Sequence, residues 1–141
     1  MAPVTHRGYF FACLRHYIRQ HKGHGMRRFD MRVLGILQGS VVLFSDYKDN
    51  GQMWAGEGDR EMQREVLFSE PFREPPVVQV SMSMFDIDQK TNPRADLSFN
   101  RVTCGGFWIA FRTWGDTRVA RIRADWMALG PVQDDDDWQV D

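Results

Sequence analysis

Cysteine is scarce in this chain and histidine is confined to one end of it, and both facts exclude chemistry. The two cysteines, Cys13 and Cys104, lie in segments of different character, so no disulfide framework is expected. All four histidines (His6, His16, His21, His24) precede residue 30. A Ser-His-Asp or Cys-His arrangement therefore has no base in the remaining body unless the first segment folds over it. One cysteine and no histidine in the body also cannot build a usual zinc site. Long apolar runs are lacking too. The stretch Gly8 to Leu14 is broken by Arg15, which is too short for a membrane span and unconvincing as a signal-peptide core. A soluble chain without an export signal and without membrane insertion is expected. The sequence also has no excess of positive charge overall, its formal net charge being −1.

That near-neutral sum hides an uneven distribution. Residues 1–32 carry seven Lys or Arg against Asp30 alone, whereas 33–141 holds 11 basic and 18 acidic side chains. The body is thus not expected to bind nucleic acid. At 141 residues the chain suits one hydrophobic core. Three regions are expected: a basic, His-rich arm over 1–31, outside the fold; a globular domain over 32–130; and an acidic, disordered tail over 131–141 containing Asp134 to Asp137. Met26 and Met31 stand just before the strand-like region, and the arm reads as an over-long start or a disordered extension rather than a nucleic-acid or membrane arm.

From Val33 the pattern is β. Leu34, Ile36 and then Val41 to Phe44 flank Gln38-Gly39-Ser40, which reads as a strand pair or as one strand bent at the glycine. Asp46 to Asp59, with Gly51, Gly56 and Gly58, reads as a loop packed down by Met53-Trp54. A strand is expected over about Arg64 to Phe68. Pro71, Pro75 and Pro76 then bar a central strand until Val77. Val78, Val80, Met82 and Met84 alternate with Gln79, Ser81 and Ser83, the signature of a half-buried strand. Asp86 to Pro93 reads as a polar connection. Leu97 and Phe99 continue the alternation, as do Phe107, Ile109 and Phe111 after Gly105-Gly106. The last strand, about Thr117 to Leu129, sets Ala120, Ile122, Ala124 and Trp126 on one face and Arg121, Arg123 and Asp125 on the other. Six short antiparallel strands with no long helix predict an all-β fold, a six-stranded antiparallel β-sandwich or barrel.

Carboxylates near turns (Asp46, Asp49, Glu57, Asp59, Asp86, Asp88, Asp116) could in principle supply a glycosidase pair. Aspartate is common in β-turns for local hydrogen bonding alone, and that reading is preferred. Asp46 to Gly51 lacks the ligand spacing and closing glutamate of an EF-hand, so no calcium site is expected. Gly56-Glu57-Gly58 is not followed by a Lys or a helix, so it is no phosphate loop. No enzyme, metal or cofactor is expected. What remains is Arg94, Trp114 and a loop carboxylate, Glu57 or Asp59, held on a β scaffold. Sugars need such a set: a ring face for their C–H patch, a carboxylate to accept from hydroxyls and a guanidinium to donate to them.

The order and gaps of Phe68, Pro71-Phe72, Pro75-Pro76-Val77-Val78, Asp86, Arg94, Val102-Thr103, Gly106-Phe107, Thr113-Trp114, Asp116-Thr117, Val119 and Trp126 resemble the H-type lectins over about 95 residues, from near Leu34 to Gly130. The resemblance implies a six-stranded antiparallel β-sandwich, a homotrimer and a calcium-independent site for galactose or N-acetylgalactosamine between neighbouring protomers. One protomer would give the carboxylate (Glu57 by ungapped counting, Asp59 with one short gap) and Arg94. Its neighbour would give Trp114 with Gly115 and Asp116. Two positions depart from the pattern of the family's snail member: Gly115 stands where that lectin has a histidine, and Ala120 where its tyrosine completes the pocket. The family's cysteines are also missing. A glycan-binding lectin module is the first expectation. A trimeric structural or assembly domain of a particle or fibre, with altered or lost sugar binding, is the alternative.

Overall fold

The computed structural model describes residues 25–30 and 32–135; residues 1–24 of the expected arm, Met31, and 136–141 of the expected tail lie outside the described residues. Six strands follow one another: β1 Leu34–Ser45, β2 Arg60–Leu67, β3 Val77–Ile87, β4 Asp96–Asn100, β5 Gly106–Thr113 and β6 Val119–Pro131. A single helical turn, α1 Gln52–Ala55, lies between β1 and β2. The strands pair antiparallel in two three-stranded sheets, ordered β1-β6-β3 and β2-β5-β4. Of the all-β sandwich or barrel that the alternation predicted, this is the six-stranded sandwich that the resemblance implied.

The core lies between the inner faces of β5 and β6, the central strands of the two sheets. Phe107, Ile109 and Phe111 of β5 face Ile122, Ala124 and Ala128 of β6, all essentially buried. Removing either phenylalanine side chain would cost about 3–5 kcal/mol at such sites. Trp126 fills one end of the core, its ring 5.6 Å from Phe107 and 5.9 Å from Phe68. On β3 the alternation of Val78, Val80 and Met82 with exposed Gln79 and Ser81 holds, until register shifts between Met82 and Met84 and between Asp86 and Ile87.

Several boundaries differ from the sequence reading, each for a physical reason. Of the two readings of Leu34 to Ser45 the single strand holds, because Gly39 pairs with Trp126 and leaves room for its indole: a Cβ there would sit 2.8 Å from the ring. Strand β2 begins at Arg60 rather than Arg64, its first residues held by pairing with Thr113 to Ala110 of β5. Asp86 belongs to β3, opposite Arg121, and not to the following connection. The 46–59 loop contains α1, whose Met53 is buried as expected; Met53 N–H donates to Asp46 Oδ2 at 3.0 Å. At the other end of the sandwich β6 runs through Pro131, and Val132 N–H donates to the carbonyl of Val33. Arg27 donates to the carbonyls of Pro75 and Pro76, at 2.6 and 3.2 Å.

Candidate functional site

The ends of β1, β3 and β5 and the starts of β2, β4 and β6 meet at one end of the sandwich, so three connections crowd together there: 46–59, 88–95 and 114–118. Arg60 ties the first to the third. Its side chain is buried, and its five N–H bonds are directed at the carbonyls of Gly58, Gln52, Met53, Gly115 and Thr117, at 2.7–3.4 Å. Among the described residues no carboxylate takes part; peptide dipoles offset the guanidinium charge, using its full donor fork. Gly58 N–H also donates to the Gly115 carbonyl at 3.0 Å. Nothing in the sequence marked Arg60, which stands among charged residues just before a strand.

The turn Thr113-Trp114-Gly115-Asp116-Thr117 assigns a separate task to each residue. Thr113 Oγ1 donates to the Arg94 carbonyl at 2.6 Å and Thr117 Oγ1 to that of Asn92 at 2.5 Å, and both threonines are buried. Together they pin the segment that carries Arg94. Gly115 adopts a left-handed backbone (φ +66°), which glycine occupies without steric cost. The Arg94 guanidinium lies over it, so a Cβ at Gly115 would come within 3.1 Å of Nη1. Asp116 closes the turn on the same guanidinium, with Arg94 Nη1 2.5 Å from its Oδ1. The hydrogen bond from Arg94 holds the Asp116 carboxyl below the ordinary aspartate range. Nη1 also reaches Thr117 Oγ1 (3.3 Å) and the Asn92 carbonyl (3.4 Å). Nε and Nη2 make no hydrogen bond among the described residues and keep three N–H groups for a ligand.

Trp114 projects from this turn 43 % exposed. It borders a hollow of about 450 Å³ whose other walls include Asp59, Asp96 and Arg112. Asp59 has no partner among the described residues. The structure thus brings Asp59, Arg94, Trp114, Gly115 and Asp116 around one turn of a single chain; Arg94 and Asp116, expected from different protomers, are already partners within it. Glu57 is exposed one residue before Gly58 and does not line the hollow. Ala120 lines a different cavity, on the far side of the 46–59 loop beside Trp54. Among the described residues no group of carboxylates, thiols or imidazoles is gathered as a metal site, and no helix is long and apolar enough to cross a membrane.

The six-stranded β-sandwich is that of a carbohydrate-binding, lectin-type module. The family model of the H-type lectin domain matches residues 63–129. The chain is 54% identical over 108 residues to a Fuscovulum blasticum protein described as "ATP synthase subunits region ORF 7", covering 77% of this chain and 94% of that protein. It is 32% identical over 81 residues to a discoidin-1 polypeptide of Dictyostelium discoideum, covering 57% of this chain and 32% of that protein. The solved structure of recombinant discoidin II from the same organism shares the fold, with a TM-score of 0.62 at 21% identity over 75% of this chain and 40% of that one. The chain therefore spans about a third to two fifths of the two discoidins. Residues 63–129 thus form an H-type lectin domain, of a family and fold that are non-enzymatic.

Proposed function

We propose that the domain binds sugars of the galactose or N-acetylgalactosamine type in the hollow beside Trp114, and that it does so as a homotrimer. The observations that carry this reading are a half-exposed indole bordering the hollow and, one residue before its lining Ala95, a guanidinium fixed on one nitrogen and open on the other two. A pyranose C–H face packs on the ring, while Arg94 Nε and Nη2 donate to its hydroxyls. Asp59 is the better placed of the two candidate carboxylates because it lines the hollow without a partner; Glu57 lies beside it in the loop. Gly115 and Asp116 shape the site by holding Arg94.

The outer face of the β1-β6-β3 sheet supports self-association. Ile36, Leu129 and Val77 form a row across its three strands at the end away from the loops, and Ile36 and Val77 are 56 % and 44 % exposed. Leu34 and Met127 widen the apolar area. Such a continuous patch on a small domain suits a symmetric oligomer, and three weak sites would gain by avidity on clustered glycans.

A second reading, a trimeric assembly domain of a particle or fibre, draws on Asp116 occupying one nitrogen of Arg94 and on the missing ring at Gly115. A glycan array with the purified chain, alongside light scattering, separates the two. Binding that is lost in Arg94→Ala and Trp114→Ala while the trimer persists fits the lectin reading. An intact trimer that binds no sugar fits the assembly role, and a strictly monomeric chain sinks the trimer in both.

A further inference from the structure

A second cavity, of about 490 Å³, opens where the ends of β1 and β3 meet the start of β6, and it shares no lining residue with the Trp114 hollow. Its walls include Tyr47, Lys48, Trp54, Asp86, Asp88 and Arg121. We infer that this cavity is a second sugar subsite on the same chain, suited to a neutral pyranose unit that stacks against the Tyr47–Trp54 pair and is held by Asp86 and Arg121.

The aromatic wall is fixed in advance. Arg118 stands 4.3 Å from the Trp54 ring centroid, its Nε donates to the Trp54 carbonyl at 3.1 Å, and its Nη1 is 4.0 Å from Asp88 Oδ2. The Tyr47 ring meets Trp54 edge-on at 5.0 Å. A platform so constrained loses little side-chain freedom when a ligand arrives. Opposite it, Asp86 and Arg121 form an ion pair at 3.4 Å with both side chains about half exposed, at 52% and 53%. That single contact leaves acceptor positions on the carboxylate and donors on the guanidinium, the combination that neighbouring sugar hydroxyls satisfy. Lys48 has no partner among the described residues and adds a further donor.

Charge and size narrow the ligand. Lys48 and Arg121 balance Asp86 and Asp88 along the wall, so neither an acidic nor a basic sugar is drawn by a net field. The volume lies at the lower end of the ~300–1,000 Å³ of small-molecule sites, room for one or two sugar rings. The small side chain of Ala120 forms part of the lining, where a bulky residue would take up the space. The subsite also lies at the opposite end of the sheet from the Ile36–Leu129–Val77 row, so association through that row leaves it open.

The inference rests on the lectin reading, and one experiment separates the two. The intact chain is titrated with galactose, N-acetylgalactosamine and glucose in turn while the tryptophan indole N–H signals are followed by NMR, assigned with Trp54→Phe and Trp114→Phe. At least one sugar is expected to move the Trp54 signal with its own midpoint, independent of Trp114. Asp86→Ala is expected to raise the Trp54 midpoint by about tenfold or more and leave the Trp114 midpoint unchanged. Ala120→Leu is expected to remove the Trp54 response. A Trp114 signal that moves while Trp54 stays still overturns the second subsite and leaves the lectin reading standing. A Trp54 midpoint unaffected by Asp86→Ala overturns the assignment of its residues, and that exposed position keeps the test open should Ala120→Leu fail to fold. Movement of neither signal with any of the three sugars overturns both.

Discussion

Gly115 first reads as a loss, a glycine where the family's snail member has a hydrogen-bonding ring, but its surroundings give it a positive role. Its φ of +66° and the Arg94 guanidinium lying over its Cα both select against a side chain. Gly115→Ala is expected to destabilise the chain by about 1–2 kcal/mol through the left-handed backbone alone, measurable by urea denaturation. It would also push the guanidinium outward by a few tenths of an ångström. Asp116 supplies the counter-charge, and the sign of its pH dependence follows from its lowered pKa. The Arg94–Asp116 contact is fully present above the ordinary aspartate value of about 4 and is lost as pH falls through the lower folded value. An NMR titration of the Asp116 carboxyl is expected to give a midpoint below that of an unstructured aspartate. In Arg94→Ala the midpoint is expected to move back up, and an unchanged midpoint would show that the hydrogen bond is not its cause. Arg94 and Trp114 were singled out in the sequence because their side chains suit sugar chemistry and their spacing matches a family pattern, and they lie in two connections at the same end of the sandwich, 88–95 and 114–118. Thr113 and Thr117 were visible only as parts of a motif, and Arg60 not at all. Their work is to bond carbonyls distant in sequence, and neither composition nor periodicity records such contacts.

At the scale of elements, strands with one wet face were the easiest to read. Val78 to Met82 alternate because the strand buries one side against the opposite sheet, whereas Phe107 to Phe111 alternate in residue size while Trp108 and Ala110 between them are covered too. Strand β1 was harder, because Gly39 signals a break when only the local chain is considered. The glycine answers instead to Trp126 on the neighbouring strand, whose ring covers it. Gly39→Val, a substitution that raises local strand propensity, is therefore expected to destabilise by about 1–3 kcal/mol by displacing the indole. Thermal unfolding measures that cost, and an accompanying change in tryptophan fluorescence would locate it at Trp126. A neutral or stabilising result would mean that the ring repacks freely. The α1 turn was invisible for another reason: four residues are too few to display a helical period, and its geometry is set by Asp46 and Arg60 from outside it.

Over the whole molecule, the two ends of the sandwich differ in character. One carries the site loops; the other exposes Leu34, Ile36 and Val77 on a single sheet face. A lysine in place of Ile36 would bring a charge to the centre of that face without touching the core. Ile36→Lys is expected to yield monomers by light scattering with an unchanged circular dichroism spectrum, whereas a persisting trimer would place the interface elsewhere. The sandwich itself was legible from strand spacing. The pairing order β1-β6-β3 and β2-β5-β4 was not, since it depends on which faces meet across long separations in sequence. Arg60 sits between the site loops with a charge that no acid among the described residues answers. Arginine does not titrate in water and its partners are peptide carbonyls, so neither added salt nor a fall in pH offers it a competitor. The loop framework should thus hold through washes and acid shocks that strip Asp116 from Arg94, and the site would switch off by losing one carboxylate's charge rather than by coming apart.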